Sequence, residues 1–113
     1  MRPLRRITFY GLIAGLVAST LIACQGPAWE DDPQVQAARI ACAGLRKTEH
    51  FDCIEARAVA TLNPDVCRLA FVDLDEFCLR TVYEAADDPA ICDRIYLQEV
   101  EANCRAWYAE DSP

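Results

Sequence analysis

The sequence predicts an all-α fold: a small disulfide-stapled array of three helix-turn-helix repeats of about 25 residues, after an N-terminal signal peptide. Three observations support this prediction. Apolar residues recur at helical spacing, and no segment alternates with the period of a strand. A self-similar period of this length is typical of a repeated supersecondary unit. Six cysteines recur at steps of 11, 14, 11, 14 and 12 residues, namely Cys42, Cys53, Cys67, Cys78, Cys92 and Cys104.

The first 23 residues have the charge order of a secretory leader. Three arginines within the first six residues precede an uncharged run of 17 residues, 7–23. A helix needs about 20 apolar residues to span a bilayer, so this run is short for a membrane anchor. A basic segment followed by a short apolar one predicts a signal peptide over residues 1–23.

The leader ends in Leu21-Ile22-Ala23-Cys24, which resembles the lipobox of bacterial lipoproteins. The resemblance covers about the first quarter of the chain. It implies that the Cys24 thiol receives a diacylglyceryl group, that the leader is cut before Cys24, and that the new amine can be acylated. Ile22 is bulkier than the small residue usual at that position, so slower cleavage is expected. Two or three acyl chains give a stable membrane anchor, whereas one gives marginal binding.

The residues after Cys24 indicate a location and a tether. Gln25 stands where enterobacterial lipoproteins of the inner membrane usually carry Asp, so the resemblance implies the outer membrane, facing the periplasm. Residues 24–33 are predicted to comprise the lipidated cysteine and a short polar tether, in which Trp29 has no special role.

The cysteine-rich repeat domain is predicted over residues 34–110. Simple secretion and an uncleaved anchor are the alternatives to lipidation.

Each repeat unit is predicted to be a short helix, a turn and a longer helix. Asn63-Pro64 and Asp88-Pro89 each join an N-cap residue to a first-turn proline, so a helix begins at both. Asp73-Leu74-Asp75-Glu76 has the spacing of a capping box, which predicts a second helix in the middle unit. In the first unit we expect Gly44 to end one helix and Thr48 to cap the next.

The turn within each unit governs how the cysteines pair. On one unbroken helix, residues 11 apart are separated by about 16 Å, too far for a disulfide bond. A turn lets the two helices fold back, so we predict the pairs Cys42–Cys53, Cys67–Cys78 and Cys92–Cys104. Other connectivities stay open at this point. The spacing also looks like that of eukaryotic twin C-x9-C hairpin proteins, for which bridges between units, such as Cys53 to Cys67, would be the signature.

The segment after the leader is acidic and contains few large apolar residues. Residues 24–113 carry 8 basic and 18 acidic side chains, and 15 of their residues are alanine. Nucleic acid is excluded as a main partner because binding phosphates requires a basic patch. The burial of apolar surface in a small alanine-rich core gives only marginal stability by itself. We therefore expect the disulfides to supply most of the net stability.

Residues suited to catalysis are scarce, and we predict no enzymatic activity and no cofactor. Ser112 is the one serine after the leader, and His50, the single histidine, is expected at the surface near a turn. The cysteines lack both the close pairs of zinc sites and the C-x-x-C motif of redox enzymes. The acidic clusters fall where carboxylates stabilise helix starts.

The function predicted from these features is that of a membrane-anchored periplasmic lipoprotein, acting as a non-enzymatic binding or structural module. Acylated Cys24 binds membrane lipid, and a protein partner of unknown identity is possible. Four aromatic residues are of the kind enriched at interfaces, although the thin core favours a packing role for them: Tyr83, Tyr96, Trp107 and Tyr108. The alternatives are an inhibitor or immunity-type partner of a secreted enzyme and, from a different class, a thiol-redox or metal carrier.

Overall fold

The structure, a computed structural model, describes residues 28–110. The signal peptide and Cys24 lie outside these residues. Within them all regular secondary structure is helical, as predicted, and no strand is present. None of these helices is long and apolar enough to cross a membrane. The α-helices are α1 (Pro33–Ala41), α2 (Lys47–Thr61), α3 (Asp75–Ala86) and α4 (Gln98–Glu110), and the 3₁₀ helices are η1 (Trp29–Asp31), η2 (Pro64–Leu69) and η3 (Pro89–Arg94).

Three helix-turn-helix units follow one another, formed by α1 with α2, η2 with α3, and η3 with α4. One disulfide closes each unit, so the predicted pairing within units is confirmed and bridges between units are excluded. The Cα–Cα distances are 5.7 Å for Cys42–Cys53 and 5.6 Å for both Cys67–Cys78 and Cys92–Cys104. These distances are typical of protein disulfides.

The first helix of every unit begins at an Asx-Pro pair. The Asn63 and Asp88 side chains accept hydrogen bonds from the backbone N–H two residues on, each at 3.0 Å, which confirms both predicted caps. Asp32 caps α1 in the same way, from Gln34 N at 2.8 Å, with Pro33 as the first helical residue. The sequence pattern had not revealed this third cap, because Asp32 lies 31 residues before Asn63 and not at the 25-residue step that separates Asn63 from Asp88.

The predicted caps of the second helices are wrong in detail. Asp73 lies in the turn with a φ of 77°, and α3 begins two residues later without a side-chain cap. Aspartate tolerates this left-handed conformation better than most residues. Thr48 lies inside the first turn of α2 instead of capping it. Gly44, at a φ of 80°, does occupy the left-handed turn that follows α1.

The second helices α2, α3 and α4 lie side by side and run in the same direction. His50 near the start of α2 contacts Phe71 just before α3, and the Thr81 hydroxyl farther along α3 donates to Glu55 of α2 at 3.2 Å. Residues before α4 likewise contact the start of α3, whereas the end of α4 contacts the end of α3. The disulfides lie in the core between the two layers of helices, among buried valine, isoleucine and leucine side chains.

This arrangement gives the array two opposite edges. At the turn edge, formed by residues 39–49, 70–77 and 95–98, the first helix of each unit turns into the second. At the cap edge lie the three Asx-Pro starts, Asp32-Pro33, Asn63-Pro64 and Asp88-Pro89.

Candidate functional site

A buried polar network at the cap edge is centred on Asn63, whose side chain is 1% exposed. Its Nδ2 donates to Asp32 Oδ2 at 3.0 Å and to Gln34 Oε1 at 2.8 Å. Its Oδ1 accepts from Asp65 N and from Arg94 Nη2, both at 3.0 Å. Asn63 therefore joins all three units, since Asp32 and Gln34 belong to the first unit and Arg94 to the third.

The network is complete without a ligand. An asparagine amide has two donor hydrogens and an oxygen with two lone pairs, and Asn63 uses all four. Its hydrogen bond, followed by that of the Gln34 backbone N–H, holds the pKa of the Asp32 carboxyl below its ordinary value of 3.8. The chemistry of this network is therefore structural, and it fixes the relative position of the units.

A second cluster fixes the start of the described chain. The Arg68 guanidinium lies over the Tyr96 ring, 3.9 Å from its centroid, and 5.5 Å from the centroid of Trp29. Arg68 Nε also donates to Asp65 at 2.9 Å, and the Tyr96 hydroxyl donates to Asp75 at 3.1 Å. Burial, with the negative charge of Asp75, raises the pKa of Tyr96. Trp29, predicted as a tether aromatic, thus packs against the domain.

The four aromatics singled out from the sequence divide between core and surface. Tyr83 is buried, and Tyr96 and Tyr108 are half-buried, in agreement with the predicted packing role. The Tyr108 hydroxyl donates to the Tyr83 carbonyl and accepts from Asp88 N at 3.2 Å. Trp107 differs, because 38% of its surface is exposed while its ring lies 6.5 Å from that of Tyr83.

Trp107 lines a shallow groove between α3 and α4 with a volume of about 270 Å³. The buried Val100 and Tyr83 line it from below, and Arg80 Nε donates to Glu84 at 3.0 Å along its α3 side. Three carboxylates line the groove against one guanidinium, and the residues that a partner would meet are Glu76, Arg80, Glu84, Asn103, Trp107 and Glu110. This acidic groove with an exposed indole is the candidate binding surface, and Tyr83 and Trp107 are the two of its residues that the sequence had indicated.

The predicted disulfide residues are structural in this arrangement. Five of the six cysteines are buried and Cys53 is half-buried, and all six are paired. His50 is half-buried instead of lying at the surface. Its ring lies 5.2 Å from that of Phe71, and its Nδ1 is buried with no hydrogen-bond partner in the described chain. Within residues 28–110, no three His, Cys, Asp or Glu side chains are grouped so as to hold a metal ion.

No protein-family model, curated protein or solved structure matches this chain. The class that the fold itself defines is a small all-α array of three disulfide-closed units. Its function is therefore argued from its own residues.

Proposed function

We propose that the protein is a lipid-anchored module of the bacterial cell envelope that binds another protein through the groove between α3 and α4, without enzymatic activity. The observation that carries this proposal is the exposed Trp107 in a groove whose two helices belong to units fixed to each other. The disulfides fix each unit internally, and the Asn63 network fixes the units together. A preorganised surface loses less conformational entropy on binding.

The chemistry of the groove supports a partner segment with positive charge. Tryptophan supplies a large contact area and is enriched among the residues that dominate binding energy. Glu76 and Glu110 form no ion pair within the described chain, and Glu84 is paired with Arg80. Carboxylates without partners around an exposed indole favour a lysine or arginine side chain, by Coulomb attraction and by a cation–π contact.

The membrane anchor is supported by the lipobox resemblance of Leu21-Ile22-Ala23-Cys24 and by the position of Trp29. Cys24 precedes Trp29 by five residues, which span at most about 17 Å when extended. Because Trp29 packs against Arg68, a lipid on Cys24 would hold the domain close to the membrane surface. This proposal places the protein at the outer membrane, facing the periplasm.

Replacing the proposed anchor residue, Cys24→Ala, should abolish lipid labelling and leave the precursor uncut. The thiol is the atom that receives the diacylglyceryl group, and leader cleavage depends on that modification in lipoproteins. Labelling cells with radioactive palmitate and measuring precursor mass would check both effects. Cys42→Ala is the matched control, because it removes a cysteine of the domain and should keep its lipid label. Continued labelling of the Cys24→Ala protein would contradict the anchor.

Truncating the indole, Trp107→Ala, should weaken partner binding at least about 30-fold, because removal of a dominant interface residue costs about 2 kcal/mol or more. The measurement is quantitative pull-down from detergent-solubilised envelopes of the source bacterium. Leu62→Ala is the matched control, since Leu62 is also 38% exposed but lies at the cap edge, outside the groove. Equal capture by the Trp107→Ala and parent proteins would refute the groove as the binding surface. If the captured protein is a secreted enzyme that loses activity, the inhibitor alternative is favoured.

A further inference from the structure

The exposed apolar side chains of the domain are concentrated at one edge. Seven large hydrophobic residues are exposed in the part of the chain that the structure describes, and five of them lie at the turn edge. Val72 is 87% exposed and Ile40 78%. The five are Ile40, Leu45, Phe71, Val72 and Phe77. A concentration of this kind marks a surface that contacts a partner or a membrane.

The turns of the first two units adjoin at this edge. Phe71, in the turn of the second unit, contacts His50 in the first turn of α2, which belongs to the first unit. The Cys42–Cys53 and Cys67–Cys78 bonds join the first helix of each unit to the second and so close each turn. The apolar side chains are therefore presented on a fixed edge.

The turn edge is also nearly neutral in an acidic domain. It carries three basic and four acidic side chains, whereas the rest of residues 28–110 carries five basic and thirteen acidic ones. Residues 33–48 contain no acidic side chain at all. Within them Arg39, Arg46 and Lys47 are exposed and form no ion pair in the described chain. Basic residues beside exposed apolar ones are typical of surfaces that lie on lipid headgroups.

The described chain begins at the cap edge, and its first aromatic side chain lies against η2. The Trp29 carbonyl accepts from Asp32 N at 3.2 Å, and the Trp29 ring centroid lies 5.5 Å from the guanidinium of Arg68 in η2. Arg68 is two residues before Ala70, where the turn edge of the second unit begins. Because Trp29 is five positions after Cys24, an anchor at Cys24 can lie up to about 17 Å from Trp29. This reach exceeds the length of about 12 Å of the six-residue η2, which runs from the cap edge toward the turn edge.

We propose that the turn edge rests on the bilayer to which Cys24 is anchored, with Phe71, Val72 and Phe77 at the acyl–headgroup boundary and Arg46 and Lys47 at lipid phosphates. The lipid anchor of the proposed function is a premise of this inference. With the turn edge on the membrane, the groove between α3 and α4 lies on the flank of the array, and Glu76 is its one residue at the turn edge. A periplasmic partner can reach the rest of the groove, including Arg80, Glu84 and Trp107.

The test uses the mature lipidated protein in vesicles of phosphatidylethanolamine and phosphatidylglycerol with brominated acyl chains, which quench tryptophan at the interface. Val72→Trp adds a tryptophan at the turn edge. Ala60→Trp adds one at the exposed far end of α2 as a matched control, and Trp29 and Trp107 are common to both proteins. We expect the added fluorescence of the Val72→Trp protein to be quenched at least about twofold more than that of the Ala60→Trp protein. Helical circular dichroism of both variants checks their folding.

Each outcome separates the orientation of the domain from its anchor. Before the quenching measurement, mass spectrometry of the same protein sample establishes whether Cys24 carries lipid. An unmodified Cys24 overturns the anchor and this inference together. Lipidated protein with equal quenching at the two positions overturns the orientation alone. If quenching is equal and the Val72→Trp indole is also shielded from aqueous iodide, the proposed orientation is again overturned. That result would indicate that a second copy or a protein partner covers the turn edge.

Discussion

Reduction of the three disulfides is expected to unfold the domain. Each bond closes a loop of 11 or 12 residues, and closing a loop of this size stabilises a fold by roughly 3 kcal/mol through the entropy of the unfolded chain. Three such bonds together contribute roughly 9 kcal/mol, which is comparable to the about 5–15 kcal/mol of net stability typical of a whole domain. The core between the helices is thin, because few large side chains other than the cystines are fully buried.

Circular dichroism before and after full reduction measures this effect, with the oxidised protein in the same buffer as the reference. Thiol labelling should find no free thiol in the native lipidated protein and six after reduction and unfolding. Helical circular dichroism that survives complete reduction would show that the burial of apolar side chains is sufficient by itself. Two or more reactive thiols in the native protein would instead favour the thiol-redox or metal-carrier alternative.

The pairing makes this prediction specific to individual bonds. Cys67→Ser should destabilise the domain about as much as the double variant Cys67→Ser/Cys78→Ser, because both remove one bond. Cys53→Ser/Cys67→Ser removes two bonds and should destabilise by roughly the sum of its single variants. If Cys53 and Cys67 were partners, as in a twin hairpin, the result for that pair would instead match either single variant. Free energies of unfolding in urea distinguish these outcomes.

Local rules explain why the units and their disulfides could be predicted from the sequence. An Asx-Pro pair fixes a helix start through the geometry of proline and one side-chain hydrogen bond, and both pairs identified were correct. The cysteine pairs followed from a turn between residues 11 or 12 apart. The capping box failed at Asp73 because a capping motif is only one of several local conformations open to aspartate, and here the turn uses a positive φ.

Tertiary contacts account for what the sequence did not reveal. Asn63 differs from the other two caps, Asp32 and Asp88, by an amide that can donate, but the local sequence does not indicate the partners of that amide. They lie 31 and 29 positions before it, and Arg94, which donates to its oxygen, lies 31 after it. Trp29 looked like part of a tether because its partner, Arg68, is far away in sequence. The groove between α3 and α4 was not predicted for the same reason, since its rim combines side chains of two helices from different units.

The second large effect is expected for Asn63→Ala, which should lower the free energy of unfolding by about 2–4 kcal/mol. The variant loses the cap of η2, a contribution of about 1 kcal/mol. It also loses the side-chain bonds to Asp32, Gln34 and Arg94. Two of these partners are charged, and a hydrogen bond to a charged group contributes about 1.5–3 kcal/mol. The net loss is smaller wherever water replaces the missing amide. Asp88→Ala is the matched control, because Asp88 makes a cap bond to Ala90 N at the equivalent position of the third unit.

Thermal unfolding of the two variants separates capping from the cross-unit bonds. A loss of 1 kcal/mol shifts the Tm of a domain of this size by about 4–8 °C, so Asp88→Ala should lower the Tm by about that amount and Asn63→Ala by two to four times as much. Equal shifts would mean that the bonds from Asn63 to the neighbouring units add no stability, and that the rigidity on which the proposed binding surface depends has another source.

A titration gives an independent measure of the same bonds. The Asn63 hydrogen bond is the largest cause that lowers the pKa of Asp32, so in the Asn63→Ala protein this pKa should rise toward its ordinary value of 3.8. Because the folded pKa of Asp32 lies below the unfolded one, its contribution to stability is complete above about pH 5 and is lost as the pH falls through the folded value. The Asn63→Ala protein should therefore lose less additional stability on acidification than the parent. Carboxyl-carbon NMR of Asp32 measures the shift, and an unchanged pKa would show that Asn63 does not hold the first unit to the second in solution.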